Sequence, residues 1–401
     1  MDDSGEPGGA ELELSLPPVE GEPSLAWPPS GMSARPTATL PSGGLTGFTT
    51  SLFVQAQVSE VQDVARVMEH TKLGAVLTLE HKGYRSQMLK ALGAVDHTRR
   101  RTLSRNLLVD RNLYSGPKRK QAKDGLSQQW VDDQHAIMKL DWAMTDSGFS
   151  YNLRDVTSVL ADSARMSGQV IVALPMSHEL LRDQASEISD LVNGQTHPVA
   201  IMLEHELDPF DTPGVASALS HVIVQARPGV LLLRSDTSAL GAISHGAAVG
   251  AIGTHTALRH IFPAQVTTGG GPEQLAFVIP DLLGFYRQRR FEQAYLRDPH
   301  LAAWRCSCWF CAGRDLTWIG NTPNKLRLRA GFQHSVAALA DLGEQLAAGA
   351  MNYSQPEAWA SMCDLAQIQH DAVSNPSGSP WEPKAALSHW RRATPAPTRA
   401  S

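Results

Sequence analysis

The stretch Val170-Ile171-Val172-Ala173-Leu174-Pro175 is a short, continuous apolar run. Three runs of the same kind follow it, at Val199–Leu203, Val230–Asp236 and Val249–Gly253. Helical patterns of apolar residues separate these runs. Short apolar runs that alternate with amphipathic helices are typical of parallel strands buried beneath helices. This part of the chain therefore predicts repeated β/α units around a parallel sheet.

The same alternation extends towards the N-terminus. Further predicted strands are Leu52–Gln57, Ala75–Leu79, Leu107–Asp110 and Leu140–Asp146. Predicted helices are the periodic segment from Val61 to Met68, Tyr84–Leu92, Val156–Met166, His178–Val192 and Val215–Ala226. Eight such repeats closing on themselves form a (β/α)8 barrel. An open doubly wound sheet is the competing fold, but Gly269-Gly270-Gly271 comes too late in the chain for its phosphate turn and follows no strand, so we interpret it as a loop.

Beyond the repeats, the chain carries the stretch Cys306-Ser307-Cys308-Trp309-Phe310-Cys311, which holds three of its four cysteines. Residues 333–349 have apolar residues at helical spacing and carry His334 near their start. Three thiolates and one imidazole are the donors of a closed tetrahedral zinc site. Inert buried cysteines or a disulfide are the alternatives, but a Cys-x-Cys bridge is strained. We predict that Cys306, Cys308, Cys311 and His334 bind one structural zinc ion.

These observations predict an α/β protein, a (β/α)8 TIM barrel with a C-terminal zinc-binding appendage. Its expected parts are a disordered tail over residues 1–48, the barrel over 49–265, a zinc-binding helical appendage over 266–373 and a second disordered tail over 374–401. Both tails are rich in Gly, Pro and Ser. No apolar run is long enough for a membrane span, and a net charge of -5 without a signal peptide favours the reducing cytoplasm.

The spacing of the cysteines and histidine resembles the zinc signature of the tRNA-guanine transglycosylases. Thr145-Asp146-Ser147-Gly148-Phe149 also resembles the Thr-Asp-Ser-Gly-Gly-Phe segment of that family, with one glycine fewer. The resemblance covers roughly residues 50–350. It implies a pentosyltransferase that releases guanine and installs a 7-deazapurine in tRNA or, as in DNA-directed relatives, in DNA. The implied reaction is a double displacement with a covalent intermediate.

Acidic residues at the ends of predicted strands are the candidate catalytic groups, although such residues also cap the helices that follow. Asp146 is favoured because Ser147 and Gly148 let the backbone approach a flat ligand, and Phe149 could form one wall of its pocket. The resemblance gives Asp146 roles in acid/base chemistry and base recognition. The family's nucleophilic Asp ends the last strand, where this chain has Val249–His255 without a carboxylate. Either Asp236 on the preceding strand is a substitute nucleophile or base exchange has been lost.

Basic residues form clusters within this acidic chain, at Arg99–Arg101, Lys118–Lys120 with Lys123, Arg287–Arg290, and Arg327 with Arg329. Such clusters can hold a phosphate backbone, or they are solvated surface. Together with the resemblance, these clusters imply a nucleic-acid partner, tRNA or DNA, and the resemblance alone implies a purine or deazapurine base. Two alternatives stay open: a non-catalytic transglycosylase-like subunit that binds nucleic acid or a partner, and an unrelated zinc-containing barrel that binds a metabolite. A homo- or hetero-oligomer is left open for each of these functions.

Overall fold

The computed structural model describes residues 40, 45–81, 83–265, 275–374, 381 and 383–394. All of these residues belong to one compact unit, Arg35–Ser401. The predictions for the loop Gly269–Gly271 and for the tail residues 1–39, 41–44, 375–380, 382 and 395–401 lie outside the described residues.

Eight parallel strands form the wall of a nearly closed barrel in the described residues. They are β1 (Leu52–Gln57), β2 (Gly74–Thr78), β3 (Leu107–Asp110), β4 (Ala143–Met144), β5 (Val170–Ser177), β6 (Val199–Glu204), β7 (Val230–Ser235) and β8 (Val249–Gly253). Hydrogen bonds join them in the order β3-β2-β1-β8-β7-β6-β5-β4, so β3 and β4 are the two ends of the ladder. The TIM-barrel prediction is confirmed, and each predicted strand overlaps an observed one.

Helices follow the strands and cover the outside of the barrel. They are α1 (Val61–Met68), α2 (Tyr84–Thr102), α3 (Gln128–Ala136), α4 (Leu153–Ser163), α5 (His178–Asp183), α6 (Ala185–Asn193), α7 (Val215–Gln225) and α8 (Ser238–Ser244). The sequence did not predict α3, because its run of Gln and Asp residues hides the buried Trp130 and Val131. Ser127 caps α3 by accepting a hydrogen bond from the Trp130 amide at 3.2 Å.

Part of the predicted N-terminal tail is ordered against the barrel, which corrects the boundary at residue 48. Leu45 and Phe48 are buried in the same apolar cluster as the barrel residues Phe53 and Leu231. The rings of Phe48 and Phe53 lie 5.1 Å apart. The Trp142 indole also donates a hydrogen bond to the Thr46 carbonyl at 2.9 Å. Leu45 and Phe48 supply the apolar surface that the polar composition of the tail conceals.

The appendage begins with an antiparallel pair, β9 (Ala276–Ile279) and β10 (Gly284–Arg287). Four helices follow: α9 (Gln288–Arg297), α10 (Thr317–Asn321), α11 (Asn324–Gly349) and α12 (Gln355–Ser374). The predicted helix over 333–349 is the C-terminal part of α11. Asp63 of α1 accepts hydrogen bonds from Arg329 and Gln333 of α11 at 2.7 and 2.8 Å, so α11 is fixed to the outside of the barrel.

The last described helix, α13 (Ala385–Ala393), lies inside the segment predicted as a disordered tail over 374–401, and that prediction is corrected for these residues. Trp390 is fully buried and stacks on Phe210, with ring centroids 5.4 Å apart. Its indole donates a hydrogen bond to Ser238 at 2.9 Å. One large aromatic residue thus provides the contact area that a segment of low average hydrophobicity otherwise lacks. No described helix is both long enough and apolar enough to cross a membrane.

Candidate functional site

The four predicted metal ligands come together in the appendage. The Sγ atoms of Cys306, Cys308 and Cys311 and a ring nitrogen of His334 all lie within 4.8 Å of one another, and all four residues are buried. The Cys311 Sγ is 3.0 Å from His334 Nδ1, and the Cys308 Sγ is 3.9 Å from it. Hydrogen bonds from the Cys306 and Cys308 thiols, together with the charge of His334, lower the pKa of the Cys311 thiol. This group could hold one metal ion, and its donors are compatible with zinc.

The surroundings of the four ligands orient them towards a common centre. His334 Nε2 lies 2.7 Å from the Val278 carbonyl of β9, which leaves Nδ1 directed at the sulfur atoms. The Trp318 indole donates to the Cys311 sulfur at 3.4 Å. A tight turn with Ala312 and Gly313 at positive φ returns the chain after the last cysteine. A bound metal would therefore join the cysteine loop to α11 and β9, with four protein ligands and no open position for chemistry.

A buried polar network lies where β1, β2, β3 and β7 end. The Gln55 amide donates to Thr78 Oγ1 and to Asp110 Oδ2, both at 3.0 Å. Tyr114 donates to the same Asp110 oxygen at 2.6 Å. The Gln55 side-chain oxygen Oε1 accepts a hydrogen bond from the backbone amide of Arg234 at 2.8 Å. This network ties β7 to the opposite side of the barrel at its C-terminal end, which is where TIM-barrel proteins carry their active sites.

Arg234 occupies a strained position in β7. Its φ is +50°, and the pairing of β7 with β8 is irregular between Leu232 and Ser235. A non-glycine residue in this region costs about 1–2 kcal/mol, so the surrounding contacts must hold it there. The guanidinium Nη2 donates to Asn112 Oδ1 at 2.7 Å, and Asn112 also has a positive φ of 56°. The side chain is buried and lies over the Tyr114 ring at 5.1 Å.

A cavity of about 390 Å³ opens beside Arg234 and is called the mouth cavity here. Its polar lining includes Gln57, Thr78, Glu80, Asn112, Ser115 and Arg234. Phe262, Leu79 and Pro117 contribute apolar surface to it. A cavity of this size and mixed lining is large enough for a small molecule.

Asp146 follows β4, as predicted, but both of its oxygens are engaged by the protein. Oδ2 accepts from Arg111 and from Lys120, each at 3.0 Å, and Oδ1 accepts from the Ser127 amide at 2.9 Å. The carboxylate is buried. In this arrangement Asp146 fixes the segment that precedes α3.

The three predicted substrate-binding residues also make internal contacts. Ser147 Oγ lies 2.8 Å from Thr145 Oγ1. A Cβ atom at Gly148 would come within 2.2 Å of the Gln121 backbone, so the glycine permits close packing of two chain segments. Phe149 is buried beneath the Arg119 guanidinium, 3.6 Å from the ring centroid. Gly148 and Phe149 thus have packing roles in the structure. The sequence predicted instead that the backbone at Gly148 approaches a flat ligand and that Phe149 packs against it.

Asp236 follows β7 and belongs to a buried ionic group that includes a residue from the C-terminal segment. The Lys384 ammonium contacts Asp236 Oδ2 and lies 3.4 Å from Asp208 Oδ2. Backbone amides also donate to the two carboxylates, Thr237 to Asp236 at 2.7 Å and Phe210 to Asp208 at 3.0 Å. We call Asp208 and Asp236 the acidic pair, and Lys384 is the lysine that lies between their carboxylates.

The two carboxylates of this group ionise differently. Burial opposes the ionisation of Asp236, but the charges of Lys384 and Arg259 outweigh it and hold the pKa of Asp236 below its usual value. Burial raises the pKa of Asp208 to about 6, with Lys384 only partly opposing it. One ionised carboxylate beside one that is readily protonated is the arrangement used for nucleophilic and general-acid roles.

In the described part of the chain, no contact links Asp146 to Asp236. Asp146 pairs with Arg111 and Lys120, whereas Asp236 pairs with Lys384. Sequence reasoning missed Asp208, Arg234 and Lys384. Asp208 lies four residues after β6 and could have been found as a strand-end acid. Arg234 and Lys384 gave no such signal, since a single arginine within a strand and a single lysine in a polar segment are common.

Most of the predicted basic clusters are engaged within the protein. Arg101 pairs with Glu69, Arg119 with Glu204, and Lys120 with Asp146. Arg329 pairs with Asp63 at 2.7 Å. By contrast, Arg287 and Arg289, at the junction of β10 and α9, are exposed and form no ion pair with a described residue.

Comparison with known proteins adds no functional assignment. No family model matches the chain, and no curated protein matches it. Among solved structures, the chain is similar to a tryptophan synthase α-subunit from Pyrococcus furiosus, with 10% identity, 51% of this chain and 86% of that chain covered, and a TM-score of 0.32. The chain is also similar to the carboxyl transferase domain of Rhizobium etli pyruvate carboxylase, with 11% identity and a TM-score of 0.32. That match covers 84% of this chain and 58% of the other. Likenesses this distant carry no argument about function.

Proposed function

We propose that the protein is a zinc-containing, transglycosylase-like enzyme that exchanges guanine for a 7-deazapurine in tRNA or DNA. The observation that carries the proposal is the buried group of Cys306, Cys308, Cys311 and His334 beside a (β/α)8 barrel. This combination is what the resemblance to the tRNA-guanine transglycosylases implies. The zinc ion is structural, since all four of its positions are filled by protein ligands.

Asp236 is the proposed nucleophile, and Asp208 is the proposed acid and base. The Asp236 carboxylate attacks the anomeric carbon of the nucleotide, the bond from that carbon to the guanine nitrogen breaks, and protonated Asp208 gives its proton to the leaving base. The incoming base then loses its proton to Asp208 and attacks the same carbon, which releases Asp236. The lowered pKa of Asp236 and the raised pKa of Asp208 support this division of roles.

Lys384 neutralises the acidic pair when no substrate is bound. Because its ammonium contacts Asp236 and approaches Asp208, it must withdraw from Asp236 before that oxygen can reach a sugar. Asp146 is proposed to approach the bound base, which requires that Arg111 or Lys120 release it. Both rearrangements belong to the substrate complex in this proposal.

The test is exchange of a labelled base. The full-length protein is incubated with radiolabelled guanine and either duplex DNA or tRNA, and label in the recovered polymer is counted. We expect incorporation into one of the two polymers. Asp236→Asn should reduce the rate at least about a thousandfold, as expected for loss of a nucleophile. Asp190→Asn, at an exposed position on α6, is the matched control and should exchange normally.

A second candidate function is a non-catalytic, transglycosylase-like protein that binds nucleic acid or a partner. The observation that favours it is that both predicted catalytic carboxylates, Asp146 and Asp236, are held by cations of the same chain. Under this alternative, the protein binds the polymer but transfers no label into it. The two candidates therefore differ in the exchange experiment itself.

A further inference from the structure

We infer that the mouth cavity is a subsite for a keto purine and that the Arg234 guanidinium selects the keto group; this inference rests on the proposed function. Arg234 lies two residues before Asp236, at the same end of β7. A base held in the cavity would thus lie at the end of the strand that supplies the proposed nucleophile. Neither residue pattern nor resemblance singled out Arg234.

The placement of Arg234 is specific and costly. Its strained backbone is stabilised by Gln55, which accepts from the Arg234 amide at 2.8 Å where the pairing of β7 and β8 is irregular. Asn112 accepts from Nη2 at 2.7 Å and keeps the guanidinium plane fixed. Strained residues held in this way cluster at ligand sites, because the surrounding contacts are needed to keep them there.

The charges around the guanidinium favour a neutral acceptor over a phosphate. The Arg234 Nε lies 3.8 Å from Asp110 Oδ2, and Glu80 also lines the cavity. Lys90 pairs with Glu80 at 3.6 Å, so two cations accompany these two carboxylates and a phosphate group would meet no excess of positive charge. A neutral ligand with an exposed oxygen can still accept a hydrogen bond from Arg234.

The free donor of Arg234 matches the keto edge of a purine. Nη2 is used by Asn112 and Nε is enclosed next to Asp110. Nη1 forms no hydrogen bond with a described residue, which leaves it to donate to a ligand. Arginine donors pair with the keto oxygen of guanine. Adenine presents an amino group at that place, so two hydrogen-bond donors would face each other. Phe262 lines the cavity and supplies an apolar surface for a planar ring.

The test measures binding of free bases by equilibrium dialysis with the full-length protein. The probes are radiolabelled guanine, hypoxanthine and adenine, of which the first two carry the keto group. We expect guanine and hypoxanthine to bind at least about tenfold more tightly than adenine. Adenine binding as tight as that of the keto bases would overturn the inference.

Two substitutions assign the selectivity to Arg234. Arg234→Met should reduce the keto preference to near unity. Arg234→Lys is the second variant, for the case that the methionine variant fails to fold, because it keeps a cation next to Asp110. It should also lose most of the keto preference, because lysine lacks the planar guanidinium with its fixed donors. Arg154→Met, at an exposed arginine of α4, is the matched control and should retain it. An undiminished keto preference in the folded Arg234 variants would refute the assignment.

The result is separable from the proposed function. Label exchange into a polymer by a protein without keto preference would reject the inference and leave base exchange standing. Keto preference that depends on Arg234, in a protein that never exchanges label, would support the inference and reject the enzymatic proposal in favour of the binding alternative.

Discussion

Among single residues, Lys384 contacts two buried carboxylates and, together with the charge of Arg259, makes them ionise differently. Lys384 contacts Asp236 more closely than Asp208, so most of the compensation for burial goes to Asp236. Asp208 is left with a raised pKa of about 6. A strand-end position alone predicted Asp236, but the difference between the two acids depends on a residue almost 150 positions later in the chain.

The raised pKa of Asp208 predicts a pH-dependent contribution to stability. The native protein binds this proton more tightly than the unfolded chain, so the contribution is complete below about pH 4 and is lost as the pH rises through about 6. Asp208→Asn removes it. Relative to wild type, the variant should gain up to about 3 kcal/mol in the free energy of unfolding between pH 4 and pH 7.

Urea unfolding at pH 4, 5, 6 and 7 measures this difference. Comparing the variant with wild type cancels His260, whose buried ring has its pKa lowered to about 4 and whose contribution has the opposite sign. Asp190→Asn, at the surface, should show no such trend. A constant difference between wild type and Asp208→Asn over this pH range would show that Asp208 titrates normally.

The sequence could reveal residue types but not their partners. It correctly placed Asp146 and Asp236 at strand ends, because a strand followed by an acid is visible in the chain. It could not show that Arg111 and Lys120 occupy the Asp146 oxygens, since these contacts join residues 26 to 35 positions apart. The strained φ of Arg234 is likewise a result of pairing between β7 and β8 and leaves no trace in composition.

At the scale of elements, the strands were predictable because they are buried on both faces. Continuous apolar runs such as Val199–Glu204 and Val249–Gly253 are typical of strands that lie between a barrel interior and a layer of helices. The prediction was least accurate at β4, where the seven-residue run Leu140–Asp146 contains only the two-residue strand Ala143–Met144. The short strand ends in the turn that packs against Gln121. The pair β9 and β10 lay outside the repeating pattern and was missed.

Helix α13 shows why average composition failed at the C-terminus. Trp390→Ala should lower the free energy of unfolding by about 3–5 kcal/mol, because the indole is fully buried against Phe210 and hydrogen-bonded to Ser238. Chemical denaturation monitored by circular dichroism measures the change. Arg392→Ala, at an exposed position of the same helix, is the control. An unchanged unfolding midpoint for Trp390→Ala would mean that α13 does not dock.

The cysteine loop and α11 together carry the four predicted metal ligands. Metal analysis of the purified protein should find one zinc ion per chain. Cys308→Ser should lower both the zinc content and the unfolding temperature, because a structural zinc site contributes its binding free energy to folding. Cys363→Ala is the matched control, since Cys363 is buried outside the four-ligand group. Full stability of a zinc-free wild-type protein would remove the structural role of the metal.

At the scale of the whole molecule, the barrel and its additions converge on one end of the sheet. The polar network, the mouth cavity and the acidic pair with its lysine lie at strand C-termini, while the segment around Leu45 and Phe48 packs into the barrel cluster. The appendage and α13 extend the chain around this barrel. Lys384, just before α13, links the C-terminal segment directly to the proposed site.

The exposed pair Arg287 and Arg289 predicts where a polymer would contact the appendage. If both hold phosphates, the double variant Arg287→Glu/Arg289→Glu should bind tRNA or DNA more weakly. The slope of the logarithm of the binding constant against the logarithm of salt concentration should fall by about two. Filter binding at several salt concentrations measures both effects. Arg154→Glu, on the barrel helix α4, is the control, and equal effects of the two changes would reject this surface as the contact.

Base exchange through Asp236 requires a covalent intermediate between this carboxylate and the sugar, which can be looked for directly. The full-length protein is incubated with duplex DNA or tRNA, quenched in denaturant and examined by intact mass spectrometry after nuclease digestion. We expect a nucleotide adduct on the wild-type protein with one of the two polymers. The adduct should be absent from Asp236→Asn and present in Asp190→Asn. An adduct that persists in Asp236→Asn, or a wild-type protein that binds the polymer without forming any adduct, would contradict base exchange through Asp236.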